Sequence, residues 1–217
     1  MKKKNFTLVC SFIMLAIFSQ GQNQKSSFGI TAGATFATYK AKSDYASITS
    51  KTKTGFTVGI SPSFAMGQHF SFWPALNYVQ KGGTFKDDYS NDKTTLNYLE
   101  LPLNFVYNTT SSKGKFFVGA GPSFSMGLSG KDKWESDGGG SGSDDIKFGS
   151  SDDDDLKPFE MGINFLAGYE FKGGFLVTAN YNAGVSNIAN GMEGSDGTMH
   201  NRYFGVRIGY MFPGKKK

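Results

Sequence analysis

The sequence predicts an all-β fold: an eight-stranded, antiparallel, up-and-down transmembrane β-barrel with short periplasmic turns and long extracellular loops. Three observations carry this expectation. Apolar residues return at every second position in eight segments, from Phe28-Gly-Ile-Thr-Ala-Gly-Ala-Thr-Phe36 to Tyr203-Phe-Gly-Val-Arg-Ile-Gly-Tyr-Met-Phe212. The positions between them hold mainly Gly, Ser, Thr, Asn and Ala with isolated charges, where a half-buried soluble sheet would show Lys, Glu and Arg to water. The links between segments alternate between short and long.

The outward set of each strand follows from its phase. Strand one turns out Phe28, Ile30, Ala32, Ala34 and Phe36, and strand two Phe56, Val58, Ile60, Phe64 and Met66. Strand three presents Phe70, Phe72, Leu76 and Tyr78, and strand four Leu99, Leu101, Leu103, Phe105 and Tyr107. Strand five presents Phe116, Val118, Ala120, Phe124 and Met126, and strand six Phe159, Met161, Ile163, Phe165, Ala167, Tyr169 and Phe171. Strand seven presents Phe175, Val177, Ala179, Tyr181 and Val185, and strand eight Phe204, Val206, Ile208, Tyr210 and Phe212. A tilted strand of ~10 residues crosses an apolar band ~25 Å tall. Aromatic residues gather at both strand ends, Phe28, Phe70, Tyr107 and Phe212 at one and Phe36, Phe56, Tyr181 and Phe204 at the other, which predicts two interfacial girdles.

Short turns are expected at Gly67-Gln-His69, 108–115 and Lys172-Gly-Gly174, and long loops at 38–54, 82–94, 130–157 and 186–201. This arrangement puts both termini on the periplasmic side. Pro62, Pro74, Pro102 and Pro122 fall inside strands. A closed barrel has no free edge to hide a missing donor, so bulges or local loss of pairing are expected there.

Residues 1–21 read as a cleaved secretory signal, leaving 22–217 as a single barrel domain. Lys2, Lys3 and Lys4 form a basic start, 6–18 an apolar run too short to span a bilayer, and Ser19 and Gly21 a small-residue cleavage site. The formal charge of +5 falls to about +2 without the three lysines of 1–21, and to about −1 without Lys215, Lys216 and Lys217. Binding to nucleic acid therefore has no electrostatic footing. The single cysteine, Cys10, leaves with the signal, so neither disulfides nor thiol chemistry are expected. No stretch is apolar for long enough to make a transmembrane helix.

Leu76-Asn-Tyr-Val-Gln-Lys-Gly82, Tyr98-Leu-Glu-Leu-Pro-Leu103, Phe116-Phe-Val-Gly-Ala-Gly-Pro122 and Gly205-Val-Arg-Ile-Gly-Tyr-Met-Phe212 resemble the PorT-type "porin family" outer-membrane β-barrels of Bacteroidetes. The resemblance covers nearly the whole mature chain. It implies the outer membrane of a Gram-negative bacterium, with lipid and lipopolysaccharide as surroundings, and specifies no activity. The last strand also resembles the signal read by the barrel-assembly machinery, with Tyr203, Gly205, Ile208, Tyr210 and Phe212 at the expected positions, although the tail Pro213-Gly-Lys-Lys-Lys217 departs from a chain that ends on that strand.

The inward phase should place Lys81, Glu100, Glu160, Glu170 and Arg207 in the lumen. A barrel of this size is just wide enough to be filled by side chains. These charges then form either a plug of ion pairs or the lining of a thin water path, and in both cases the glutamates must find Lys81 or Arg207. The loop 130–157 is acidic and rich in Gly and Ser, and is expected to be a solvated surface loop. Asp152, Asp153, Asp154 and Asp155 are candidates for loose Ca²⁺ binding. Starting an EF-hand at Asp152 would put Lys157 where the glycine belongs, so that motif is excluded. His200 lies near Ser195 and Asp196, but neighbours within one loop do not make a catalytic triad. The expectation is a small non-enzymatic barrel without a cofactor, acting structurally or through loops that bind an unspecified external ligand. A narrow passive porin is the alternative, and an outer-membrane hydrolase a remote one.

Overall fold

The computed structural model describes residues 26–43, 46–86, 90–109, 111, 113–136, 138–151, 153–190 and 197–214. The expected signal segment and the three C-terminal lysines lie outside the described residues. Eleven strands follow in order: β1 (Ser26–Lys42), β2 (Ser47–Thr49), β3 (Lys53–Ala65), β4 (Phe70–Pro74), β5 (Leu76–Lys86), β6 (Ser90–Asn108), β7 (Gly114–Ser136), β8 (Ser141–Ile146), β9 (Phe159–Phe171), β10 (Phe175–Gly184) and β11 (Thr198–Pro213). β4 and β5 form one stave interrupted at Ala75, so the ring runs β1, β3, β4/β5, β6, β7, β9, β10, β11 and back to β1. Every pairing between these strands is antiparallel, and β1 closes the ring on β11 from Ser27 against Pro213 to Lys42 against Thr198. Short β2 and β8 extend the wall beyond the ring.

The alternation expected from sequence is the alternation observed. Phe28, Ile30 and Phe36 of β1 and Phe204, Val206, Ile208, Tyr210 and Phe212 of β11 stand on the outer surface, while Thr35, Ala37, Tyr203 and Arg207 turn inward and are buried. At the end that carries both described termini, ring pairs join Phe70 to Tyr107 at 5.4 Å and Tyr210 to Phe212 at 4.8 Å. At the other end Phe56 meets Tyr78 at 5.4 Å. The tight turns at that first end rest on Gly67 and Gly174, whose φ angles of 97° and 88° lie in the left-handed region that a side chain disfavours.

The prolines act as expected. Pro62 and Pro74 stand opposite each other, and the ladder between β3 and β4/β5 is missing from Ser61 to Ser63, although it resumes at Ile60–Leu76 and Phe64–Phe72. Pairing between β6 and β7 lapses at Leu103 and Asn104, opposite Pro122, and the register shifts between Asn97 and Tyr98.

The long loops need correction. The expected loop 82–94 is largely strand, since β5 runs to Lys86 and β6 starts at Ser90. In the expected solvated loop 130–157, β7 continues to Ser136 and returns as β8, with Gly139 at the turn. Two contacts hold this hairpin. Lys131 pairs with Asp145 at 3.2 Å. The Trp134 indole lies over Gly142, where an added Cβ would stand 2.5 Å from Cζ2. A bare glycine in a strand is stabilised when a cross-strand aromatic covers it.

Ile208 lies midway between the girdle residues Phe204 and Phe212 on the outer face. Ile208→Arg should cost about 2–4 kcal/mol, the penalty for a cation at the bilayer midplane. The urea midpoint of unfolding from lipid vesicles checks this, and an unchanged midpoint would remove residue 208 from the hydrocarbon.

Candidate functional site

The lumen is filled in three storeys. The one farthest from the termini is ionic. Lys81 of β5 reaches Glu100 Oε2 of β6 and Glu160 Oε2 of β9, each at 3.2 Å, with all three side chains almost completely buried. Lys81 Nζ also donates to Ser125 Oγ at 3.2 Å and lies 4.7 Å from the Tyr98 ring centre. The Tyr203 hydroxyl donates to Glu100 Oε1 at 2.6 Å and accepts from Arg207 at 3.3 Å. Asn201 donates to Glu160 Oε2 at 3.2 Å. Two cations thus balance two carboxylates, joined by hydroxyls and amides. Buried charges persist only when paired and hydrogen-bonded in this way. Glycines on neighbouring staves make the room: a Cβ on Gly184 would stand 2.5 Å from Glu160 Oε1.

The middle storey is a chain of amides. Asn180 donates to Asn164 at 3.2 Å, Asn164 to Asn104 at 2.8 Å, and Asn104 to the Trp73 carbonyl at 3.3 Å. Beside it lies a cavity of about 50 Å³ lined by Asn77, Asn180, Arg207 and Trp73, among others. Among the described residues, Trp73 Nε1, Asn77 Nδ2 and Arg207 Nε have no hydrogen-bond partner there, and the space has room for ordered water to serve them.

The storey nearest the termini is apolar. Trp73, Val106, Phe117, Leu166, Leu176 and Met211 form one buried cluster, with the Trp73 and Phe117 rings 4.9 Å apart. Sequence reasoning missed this plug. Its signal was present as doublets that break the alternation: Phe72-Trp73, Phe105-Val106, Phe116-Phe117, Phe165-Leu166, Phe175-Leu176 and Tyr210-Met211. One member of each faces lipid and the other fills the lumen.

Of the five expected lumen charges, the structure joins Lys81, Glu100, Glu160 and Arg207. Glu170 stands apart at the mouth on the side of the termini, paired with the half-exposed Lys115 at 3.1 Å. In the last strand, Tyr203 and Gly205 face inward while Ile208, Tyr210 and Phe212 face outward.

The acidic segment also packs on the end of the barrel opposite the termini. Beyond β8 the chain folds back so that Leu156 is buried beside Leu96 and Tyr98, with Phe148 5.5 Å from the Tyr98 ring. The Lys157 amide donates to the carbonyl of fully buried Ile188 at 2.9 Å. Asp155 Oδ2 accepts from the Lys147 amide and Asp154 Oδ2 from the Ser151 amide, both at 2.8 Å, so these two candidate Ca²⁺ ligands tie down their own loop. Asp153 is exposed and Asp152 lies outside the described residues. His69 Nδ1 sits 3.2 Å from the Asn108 carbonyl at a short turn. His200 faces Lys40 across β1 and β11, and Ser195 and Asp196 lie outside the described residues.

Lys81→Met should leave two buried carboxylates without their shared cation and destabilise the barrel by about 3–5 kcal/mol. Adding Glu100→Gln and Glu160→Gln should recover most of that loss. Urea titrations followed by gel mobility without boiling distinguish the cluster from three independent side chains, for which the losses would simply add.

The chain matches the family model described as outer membrane protein beta-barrel domain over residues 18–190. Among solved structures it is similar to Ail, the attachment invasion locus protein of Yersinia pestis, at 16% identity, with 88% of this chain and 100% of that chain covered and a TM-score of 0.42. It is also similar to neisserial surface protein A at 15% identity, with 85% and 97% covered and a TM-score of 0.44. A third is OprG of Pseudomonas aeruginosa at 12% identity, with 89% and 98% covered and a TM-score of 0.47. A comparison with curated proteins finds no match. With its closed antiparallel ring, its lipid-facing alternation and a family match across most of its length, the chain belongs to the outer membrane protein beta-barrel domain family and resides in the outer membrane of a Gram-negative bacterium.

Proposed function

We propose that this protein is a non-conducting, non-enzymatic barrel whose function lies at its external face, where a rigid wall holds an ordered hairpin and cap for surface binding. The observation that carries this reading is the lumen, which is filled by the ionic cluster, the amide chain and the apolar plug in succession. A passive pore needs a continuous water path, and the cavity between these layers has a volume of only about 50 Å³. β10 spans the ring in 10 residues, yet β6 and β7 run to 19 and 23. That surplus wall stands outside the membrane, and its conformation is specified by the Lys131–Asp145 pair and the Trp134–Gly142 contact.

The finer assignments belong to the same reading. Short turns at the end carrying both described termini favour a periplasmic location for them. The expected signal cleavage after residue 21, recognition of β11 by the assembly machinery and membership of the PorT-type branch rest on the sequence motifs. Catalysis through His200 finds no support, because its cross-strand neighbour is a lysine.

Purified protein in planar bilayers should show no stable conductance steps, and discrete channels would overturn the reading. The hairpin is removable in principle, because Gly130 pairs directly with Ile146. Replacing 131–145 by an Asn-Gly turn, which favours a tight hairpin, should keep the boiling-dependent mobility shift. Intact cells carrying this variant should lose binding seen with the full chain on glycan and protein arrays.

A further inference from the structure

We propose that the outer rim of β1, β10 and β11 is a binding site for the phosphate of an outer-leaflet glycolipid. Lys40 and Lys42 project from β1 and Arg202 from β11, in the same outward phase as Phe36 and Phe204. The register sets Lys40 opposite His200, and Ala183 of β10 opposite Arg202. Together with Tyr181 these side chains line a recess of about 300 Å³.

Three features select a lipid phosphate. The first is charge. Among the described residues, no carboxylate lines the recess, and neither lysine nor Arg202 has an ion-pair partner. Lys115 and Lys131 elsewhere on the surface each have one. A guanidinium beside two ammonium groups suits a phosphate, which Arg binds in bidentate fashion and Lys as a point charge.

The second is height. At about 3.4 Å per residue and a tilt near 40°, Arg202 stands roughly 5 Å and Lys40 roughly 10 Å beyond the girdle rings. That is the headgroup layer, and long cationic side chains reach along the wall within it. The third is shape. Below the cations, Ala34, Val206 and Ala179 lie abreast across β1, β11 and β10. The two alanines give the wall a low profile there, where an acyl chain joined to the bound headgroup would lie. A soluble anion has no use for this apolar strip, and a protein partner would not meet it inside the bilayer.

The test compares the full-length protein in vesicles of phosphatidylcholine alone, or doped with diphosphoryl lipid A, or with its dephosphorylated form. The readout is the temperature at which the barrel loses its unboiled gel mobility. Diphosphoryl lipid A should raise this temperature, while the dephosphorylated lipid should not, nor should inorganic phosphate added to plain vesicles. The variant K40Q/K42Q/R202Q should lose the shift while melting as the wild type does in phosphatidylcholine. An equal shift in the variant overturns the site. A shift with the dephosphorylated lipid overturns the phosphate, and one with inorganic phosphate overturns the lipid. If the triple variant fails to insert, Arg202→Gln alone should reduce the shift, and an undiminished shift overturns the proposal. None of these outcomes bears on whether the lumen conducts, so this inference and the proposed surface function fail separately.

Discussion

Hydrocarbon offers no hydrogen bonds, so every amide and carbonyl that crosses it must find a partner within the protein. The ring from β1 back to β1 answers that requirement, and the rest of the structure follows from it. Eight staves enclose a space only one or two side chains wide. A space that narrow must either be filled or hold water in a strained file. Here it is filled, and with three different chemistries, because the inward positions of each stave change character along its length. The ionic storey lies where Lys81, Glu100 and Glu160 converge, and the apolar storey where Trp73 and Phe117 meet.

The ionic cluster is a poor source of stability in itself, since the carboxylates and ammonium lost their hydration to enter the lumen. Its value lies in specification. Lys81 can satisfy Glu100 and Glu160 only if β5, β6 and β9 stand in their observed register, and Tyr203 can reach Glu100 only if β11 does as well. A slip of one residue on any of these strands turns its charge toward lipid. Charges buried at the centre of a ring therefore penalise every wrong closure.

Much of this was legible in the sequence, and the reason is solvent. One residue in two of each strand meets lipid, so the outward phase was readable from Phe28 to Phe212. Charges on the inward phase are rare enough that Lys81, Glu100, Glu160 and Arg207 stood out, and the cost of an unpaired buried charge required the glutamates to find Lys81 or Arg207, although which cation each would take could not be read. Glu170 has the same phase but lies near the end of β9, where a vestibule replaces the packed interior, so its partner is Lys115. The apolar plug was hidden because Phe117 looks like Phe116 to any hydrophobicity count. The hairpin at 131–146 was hidden because its glycines and aspartates read as solvated loop, while the contact that orders it, Trp134 on Gly142, is made across strands.

The matched prolines give the wall a mechanical property. The Ala75 amide points to β6, where it bonds the Pro102 carbonyl at 3.0 Å. Alternation then turns the nitrogen of residue 74 toward β3, and in register that of residue 62 toward β4. Both nitrogens belong to prolines. The two groups absent from this seam are therefore donors, the kind most costly to strand in oil, and only carbonyls remain, one of them served by Ser61 Oγ at 3.1 Å. The cylinder carries a line of compliance on its lipid face where it flexes without exposing an unmet N–H, and amide exchange should register the softness of that wall long before the ring itself opens.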